Sequence, residues 1–444
     1  MSHLQDRYNK LITPETKKRA SLWGGTEKQE EKVHLVSSVA NIVLEQAVIE
    51  RASDIHFEPA KEGLRIRYRI DGILHIVLNI EEPVASLIIR RLKIMAGMQL
   101  DAVATQISQD GRFKQRMGAS EYDFRLSSFP TVLGEKVVIR ILNSNFSDYD
   151  LGKLGIDDKS LVRIRRMLQL KNGLLLVCGP TGSGKTTTLY SLLKEINTTS
   201  INVVTLEDPV EYQIDGMNQC DIKAKSKFLF ADGLKAVLRQ DPDIILVGEI
   251  RDGETAEIAS RAAITGHLVF SSIHANSTIG TIVRLVNMGL EPYLVSYALV
   301  GVVAQRLVRR ICPQCRTSYQ LTPDQADMWH RYFEGWQSPL AKENANIHYV
   351  GAVEGEKTST VTLFKGEGCE YCQMTGYVGR IGLYEILTFT EELRQAVLQG
   401  KATTELKQIC IRSGMVPLAI DAMKKAQEGW TTLEEIVPIL IEPN

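Results

Sequence analysis

Gly179-Pro-Thr-Gly-Ser-Gly-Lys-Thr186 satisfies the pattern G-x-x-x-x-G-K-[ST] at every fixed position. Its flanks suit it. Leu174-Leu-Leu-Val177 before it is an apolar run of strand length. Thr187-Thr-Leu-Tyr-Ser-Leu-Leu193 after it carries apolar residues at helical spacing. Glycines let consecutive backbone N–H groups turn toward one centre and cradle phosphate oxygens. The helix that follows points its positive end at the same anion. The candidate nucleotide-binding set is therefore Gly179, Pro180, Thr181, Gly182, Ser183, Gly184, Lys185, Thr186 and Thr187. In such a loop the lysine reaches the β- and γ-phosphates and the Thr186 hydroxyl ligates Mg²⁺. A glycine-rich strand–helix turn without a ligand is the bland alternative, and the strand and helix on either side weigh against it.

Other strands deliver acids. Asp241-Pro-Asp-Ile-Ile-Leu-Val-Gly-Glu-Ile-Arg-Asp252 places Glu249 just past a four-residue apolar strand, where it can hold Mg²⁺ through water or polarise an attacking water. Val204-Thr-Leu-Glu-Asp-Pro-Val-Glu-Tyr212 ends a strand in Glu207 and Asp208, and the carboxyl edge of an open α/β sheet is where ligands bind. His267 and His274, in Thr265-Gly-His267 and Phe270-Ser-Ser-Ile-His274, can sense a γ-phosphate or serve as structural residues.

Cys312-Pro-Gln-Cys315 and Cys369-Glu-Tyr-Cys372 supply four thiolates, the donor set of a closed tetrahedral Zn²⁺ site. A closed site is structural rather than catalytic. The pairs lie more than fifty residues apart, so a long loop is expected to project between them. Cys178, Cys220 and Cys410 read as small buried hydrophobes.

The 444 residues suggest two to four domains. At 44% hydrophobic and 24% charged, with a formal net charge of -1, the chain can build a large core but has no global field favouring nucleic acid or acidic lipid. The N-terminus is polar, and no export signal is expected. The run Tyr293 to Ala304 is about twelve residues long where a membrane span needs about twenty, so a buried helix is expected there. Residues 1–30 read as a loose tail and 31–145 as a small α+β domain, in which Leu64, Ile66, Tyr68 and Ile70 alternate with Arg65, Arg67 and Arg69 before an Asp71-Gly72 turn. Residues 150–305 read as a parallel, helix-covered sheet, 306–383 as the cysteine module and 384–444 as a helical C-terminal region.

Together these residues resemble the secretion and pilus-assembly ATPases: the type II secretion ATPase and the type IV pilus extension ATPase. The likeness covers about residues 33–440. It rests on Ala52-Ser-Asp-Ile-His-Phe-Glu-Pro59, Arg67-Tyr-Arg-Ile-Asp-Gly72, Gln109-Asp-Gly-Arg112, Gly134-Glu-Lys-Val-Val-Ile-Arg140, the phosphate loop, Glu207-Asp-Pro-Val-Glu211, Leu238-Arg-Gln-Asp-Pro-Asp243, Gly248-Glu-Ile-Arg-Asp252, the two histidines, and the cysteine pairs before Thr375-Gly-Tyr-Val-Gly-Arg380.

The resemblance implies an α/β fold: a RecA-like P-loop ATPase core preceded by a PAS-like domain, with a zinc-binding insertion and a helical C-terminal region. It implies a cytoplasmic homo-hexamer that hydrolyses ATP to power assembly of a type IV pilus or a type II secretion pseudopilus. The partner would be a polytopic inner-membrane platform protein, with peripheral membrane contact only and no nucleic acid. The implied cofactors are ATP, Mg²⁺ and Zn²⁺, with Thr186 on Mg²⁺ and Cys312, Cys315, Cys369 and Cys372 on Zn²⁺. The implied catalytic set is Lys185, Glu249, Glu207, Arg239, Arg125, Arg140, His267 and His274, the arginines reaching the nucleotide across domains or subunits. A position near Arg239 that is usually arginine in the family is Lys235 here, and lysine lacks the bidentate fork. About thirty residues precede the core, so docking is expected to differ from that of relatives with an extra N-terminal domain.

Three other functions would use some of these residues. Pilus-retraction ATPases generally lack the four cysteines. A zinc-bearing nucleic-acid clamp would use Arg306, Arg309, Arg310 and Arg316. A non-hydrolysing scaffold is opposed by intact Lys185, Thr186, Glu207 and Glu249.

Overall fold

Asp54–Ala60 (β1) and Gly63–Ile70 (β2) pair antiparallel in the computed structural model, which describes residues 2–12, 29–82, 84–101, 104–118, 120–143, 150–222, 229–326, 329 and 361–441. The chain divides into two units, Met1–Ser147 and Asp148–Asn444.

The alternation in β2 behaves as its period of two requires. Leu64, Ile66 and Tyr68 are buried, and Arg65 is exposed. Asp71 and Gly72 both adopt positive φ, 47° and 90°, and turn the chain into Ile73–Ile80 (β3). Gln109–Met117 (β4), Ser120–Thr131 (β5) and Gly134–Asn143 (β6) complete a six-stranded antiparallel sheet of order β3-β2-β1-β6-β5-β4. Phe57, Ile66, Tyr68, Phe124 and Ile139 from its strands share one core with helices Gln29–Ile49 (α2) and Val84–Met95 (α3). The Tyr68 hydroxyl donates to Val43 O at 2.6 Å, which ties α2 to the sheet.

The expected tail is partly a helix. Ser2–Leu11 (α1) buries Leu4 and Tyr8, with Ile12 beyond its end, in this core, and Arg7 pairs with Glu45 of α2 at 2.8 Å. A ten-residue helix is marginal alone. Three buried apolar side chains, each contributing ~1.5–3 kcal/mol, are what stabilise it. The rest of the expected tail, residues 13–28, lies outside the described residues.

The second unit is built on seven strands: Gly173–Cys178 (β7), Val203–Glu207 (β8), Met217–Asp221 (β9), Ile244–Val247 (β10), Leu268–Ile273 (β11), Leu299–Ile311 (β12) and Tyr377–Thr388 (β15). Their order is β15-β12-β7-β11-β10-β8-β9, all neighbours parallel except β15 against β12. β7, β8, β10 and β11 are buried at every residue, as strands covered on both faces must be. From β7 the chain crosses to β8 on one side, and from β11 it returns to β12 on the other. The loop after β7 therefore sits where the winding reverses, the crevice position for ligands in such sheets. The helices are Asp158–Leu168 (α4), Lys185–Ile196 (α5), Phe230–Val237 (α6), Gly253–Ile264 (α7), Thr278–Asn287 (α8) and Pro292–Ala298 (α9).

Two expectations are corrected here. The run Tyr293–Ala304 is not one buried helix. α9 ends at Ala298 and β12 begins at Leu299, because the β-branched Val300, Val302 and Val303 favour the strand. The boundaries expected at 305/306 and 383/384 fall inside β12 and β15, which pair from Gly301↔Thr388 to Ile311↔Tyr377. The cysteine module hangs on the extension of two core strands, with Arg316–Gln320 (β13) and Thr362–Gly366 (β14) as its own small sheet. The long loop between the cysteine pairs, residues 330–360, lies outside the described residues. Glu391–Leu398 (α10), Thr403–Arg412 (α11), Leu418–Gln427 (α12) and Leu433–Ile441 (α13) form the helical C-terminal region as expected. Among the described residues no helix is long and apolar enough to cross a membrane.

Candidate active site

The loop after β7 has the backbone its glycines foretell. Gly182 and Gly184 take φ of 80° and 88°, and Gly184 starts α5 with no side-chain cap. The first amides of a helix lack intrahelical acceptors, so those of α5 are left for an anion. Lys185 Nζ folds back onto its own loop, donating to Gly179 O at 2.9 Å and Pro180 O at 3.0 Å. Burial lowers its pKa, and Glu249 works against that shift. Among the described residues Ser183 Oγ is buried without a partner, an orphaned hydroxyl inside the loop. This cradle fits a phosphate group, with Thr186 in the first turn of α5 as the residue to hold Mg²⁺.

Glu249 follows β10, and two bonds fix its loop to the neighbouring strands. Gly248 N donates to Leu206 O at 2.7 Å, and Ile250 N to Ser272 O at 2.9 Å. Arg251 hydrogen-bonds Glu249 Oε1, and His274 Nε2 lies 3.5 Å from Oε2. Burial raises the Glu249 pKa, but Arg251, His274 and Lys185 outweigh it and hold the carboxyl below the ordinary glutamate value. A cleft of about 550 Å³ lined by Arg251, His274, Asn276 and Arg284 opens beside it.

Glu207 does not face this cluster. Thr205 and Glu207 share one side of β8, and the Glu207 carboxylate points into the protein. It accepts from Thr205 Oγ1 at 2.6 Å, Gln219 Nε2 at 3.2 Å and the Tyr190 hydroxyl of α5. Burial raises its pKa, against the pull of those three donors. Asp208, one residue beyond the strand, is the acid that meets the cluster, 3.7 Å from Arg251. Strand alternation sends neighbouring side chains to opposite sides, and the motif alone does not say which one looks out.

The two histidines part company. His274 lies at the carboxyl end of β11 with Glu249. His267 precedes β11, its Nδ1 3.1 Å from Ala262 O. Leu268 pairs with Gly173 and Ile273 with Cys178, so His267 sits a strand length from the phosphate loop, ~20 Å at ~3.3 Å per residue. Within this chain it is not at the phosphates. Arg239 lies on the same far edge, before β10, donating to Lys235 O at 2.9 Å. Lys235 pairs with Glu254 at 2.6 Å.

In the first unit, considered alone, Arg125 and Arg140 are directly opposite on β5 and β6. The row continues to Arg112 on β4 and to Asp54 and Arg69 on β1 and β2. Arg140 Nε lies 3.2 Å from Asp54 Oδ1. Arg112 pairs with Asp123, and Arg69 Nε lies 3.7 Å from Asp54 Oδ2, so carboxylates of the same sheet meet charge along the row. Arg69 was legible as part of an alternation and Arg112 as part of Gln109-Asp-Gly-Arg112, neither as a member of a row.

Gln305 escaped the sequence reading. On β12, 2% exposed, it accepts from Thr188 Oγ1 at 2.8 Å and donates to Ser183 O at 2.6 Å. Its cross-strand partner Tyr384 donates to Leu154 O at 3.3 Å. Beside Leu154 is a cavity of about 710 Å³ lined by Gly155, Arg310, Arg380, Ile381 and Trp430 among others, with Arg310 stacked 4.8 Å from the Trp430 ring.

The four cysteine sulfurs converge within 4.8 Å of one another. Three pairs are 3.8, 3.8 and 3.7 Å apart. A tetrahedron with Zn–S of about 2.3 Å has edges of ~3.8 Å, so the donor set fits zinc. N–H groups of Gly368, Cys369 and Gly376 point at the sulfurs, at 3.3, 3.1 and 3.2 Å. Burial opposes ionisation of Cys372, yet hydrogen bonds from the Cys369 and Gly376 amides pull its pKa down. Gly366 and Gly376 approach so closely that a Cβ on either would strike the other's carbonyl oxygen, at 2.1 or 2.5 Å. Of the other cysteines Cys178 and Cys410 are buried as expected, while Cys220 is half-buried.

The arginines flanking the first pair divide: Arg306 and Arg309 are engaged inside the chain, while Arg310 and Arg316 are exposed. Arg306 is 8% exposed, and Arg309 makes a double bond set to Glu435 at 2.7 and 2.9 Å. Arg316 lies over Phe364.

A family model described as Type II/IV secretion system protein matches residues 28–438. The chain is 42% identical over 403 residues to the Myxococcus xanthus "Type IV pilus assembly ATPase PilB", covering 90% of this chain and 67% of that one. It is 38% identical over 407 residues to the Vibrio cholerae "Type II secretion system ATPase E", covering 92% and 76%. Among solved structures it is similar to the pilus retraction motor PilT with bound ADP: 27% identity, TM-score 0.60, coverage 90% and 96%. It also shares the fold of the Legionella pneumophila ATPase DotB, at 21% identity and TM-score 0.65 over 91% and 95%.

Proposed function

The chain belongs to the type II/IV secretion system protein family and is a P-loop ATPase, and from that premise we propose that it works as a homo-hexameric motor whose ATP hydrolysis powers assembly of a type IV pilus or a type II secretion pseudopilus. It acts at the cytoplasmic face of the inner membrane, held there peripherally by a polytopic platform protein. The observation that carries this reading is the phosphate loop after β7 beside the Glu249–His274 pair at the ends of β10 and β11. The four-cysteine cluster supports assembly over retraction.

Each residue has a task. Lys185 leaves the carbonyls of Gly179 and Pro180 and meets the β- and γ-phosphates. Thr186 holds Mg²⁺, which when bound neutralises charge on the transferring phosphoryl group. Glu249, kept ionised, accepts a hydrogen bond from the attacking water. The base and ribose lie in the cavity between Leu154, Arg380 and Trp430, because Tyr384 and Gln305 join its wall to the phosphate loop. Arg125 and Arg140 supply cations for the charge that builds on the γ-phosphoryl oxygens. Arg239 and His267, on the far edge, serve the site of a neighbouring subunit. Cys312, Cys315, Cys369 and Cys372 hold a structural Zn²⁺.

Steady-state ATPase assays of the purified, zinc-loaded oligomer test this. Lys185→Ala abolishes turnover. Undiminished turnover rejects the phosphate-loop assignment.

A further inference from the structure

Ala304 on β12 pairs with Cys178, the last residue of β7. Beyond that pair the backbone ladder between the two strands ends, and the side chain of the next residue, Gln305, takes over the connection. Its Oε1 accepts from Thr188 Oγ1 at 2.8 Å, and its Nε2 donates to Ser183 O at 2.6 Å. A Cβ at Gly179 would meet Gln305 O at 2.4 Å, and one at Gly184 would meet Gln305 Nε2 at 2.8 Å. One residue therefore touches both ends of the phosphate loop and the first turn of α5. A carboxamide buried among apolar strands costs free energy unless both its ends are bonded. Here both are, and both bonds go to the loop and its helix.

The bonds of Lys185 to Gly179 O and Pro180 O also shape the loop, but a lysine that turns to a phosphate gives them up. Gln305 uses a carbonyl of Ser183 and a side chain of Thr188. Neither is a backbone N–H, so its bonds persist while the amides receive the anion.

We propose that Gln305 is a positioning residue that holds Ser183, Gly184 and the first turn of α5 in register with the sheet once Lys185 has moved to the phosphates. This rests on the reading of the loop as the MgATP site.

The test is titration of MgADP into the full-length, zinc-loaded protein, with steady-state kinetics beside it. Methionine matches glutamine in length and lacks both hydrogen bonds, so a packing role leaves Gln305→Met close to wild type. Positioning instead raises the Kd for MgADP and the KM for MgATP about five- to tenfold, the weight of one or two buried hydrogen bonds, while kcat falls by a smaller factor. Thr188→Val cuts the same link from the other side. The double variant is then no worse than the poorer single, since it leaves no hydroxyl orphaned. Gln305→Met binding MgADP as wild type does, or single effects that simply add, overturns the proposal. Should Gln305→Met fail to fold, Thr188→Val carries the test, and unchanged MgADP affinity overturns it. Wild-type protein that binds no MgADP sinks the phosphate-loop reading instead.

Discussion

His274 Nε2 lies 3.5 Å from Glu249 Oε2, across the ends of the neighbouring strands β11 and β10. Together with Arg251 on the other oxygen, it holds the carboxylate in one orientation. His274→Ala removes one side of that hold. A partly exposed polar contact of this kind is worth ~0.5–1 kcal/mol, so kcat should fall about two- to fivefold with nucleotide binding retained. Comparing single-turnover hydrolysis with MgADP affinity separates the two, and an unaffected kcat removes His274 from the site.

Arg251→Ala gives a pH-dependent outcome. In the native protein Arg251 helps hold the Glu249 pKa below its ordinary value against burial, which raises it. Without Arg251 burial gains weight and the pKa rises. In the proposed role Glu249 acts as the ionised carboxylate, so activity is then lost at a higher pH as the solution is acidified. The acid limb of the kcat profile should move upward, and an unmoved limb refutes the pairing.

Glu207→Gln bears on stability. Burial raises the folded-state pKa of Glu207, so its contribution is fully present below the ordinary carboxylate pKa and is lost as pH rises through the raised value. An amide mimics the protonated acid. The variant's melting temperature should gain on that of wild type as pH climbs from about 4 to about 8, and the gap should close in acid. A constant gap means that Glu207 does not titrate as placed.

Metal analysis should find about one zinc per chain. Cys372→Ser should lose it and expose the amides of β13 and β14 to hydrogen exchange, because the two-stranded sheet is too small to stand alone. Persistent protection without metal contradicts the structural role.

Lys185→Ala and Arg239→Ala chains should each be inactive alone. Mixed, they should regain part of the ATPase activity, because some interfaces then pair an intact Lys185 with an intact Arg239. The far-edge position of Arg239 makes that the expected arrangement. No recovery places Arg239 in cis.

What sequence by itself determined is local in the chain. The glycines of the phosphate loop, the turn at Asp71-Gly72, the alternation of β2 and the four cysteines all declare themselves, because φ preference, side-chain period and ligand spacing act within a few residues. Tertiary structure alone decided where distant strands lie. It set β12 beside β7, which made Gln305 a neighbour of Ser183. It split His274 from His267 across the length of one strand and turned Glu207 inward while Asp208 looked out. It also drew Leu4 and Tyr8 into a core that a polar tail would not have needed. Each of these depends on pairing or burial between segments far apart in sequence, and residue spacing carries no record of which segments will meet.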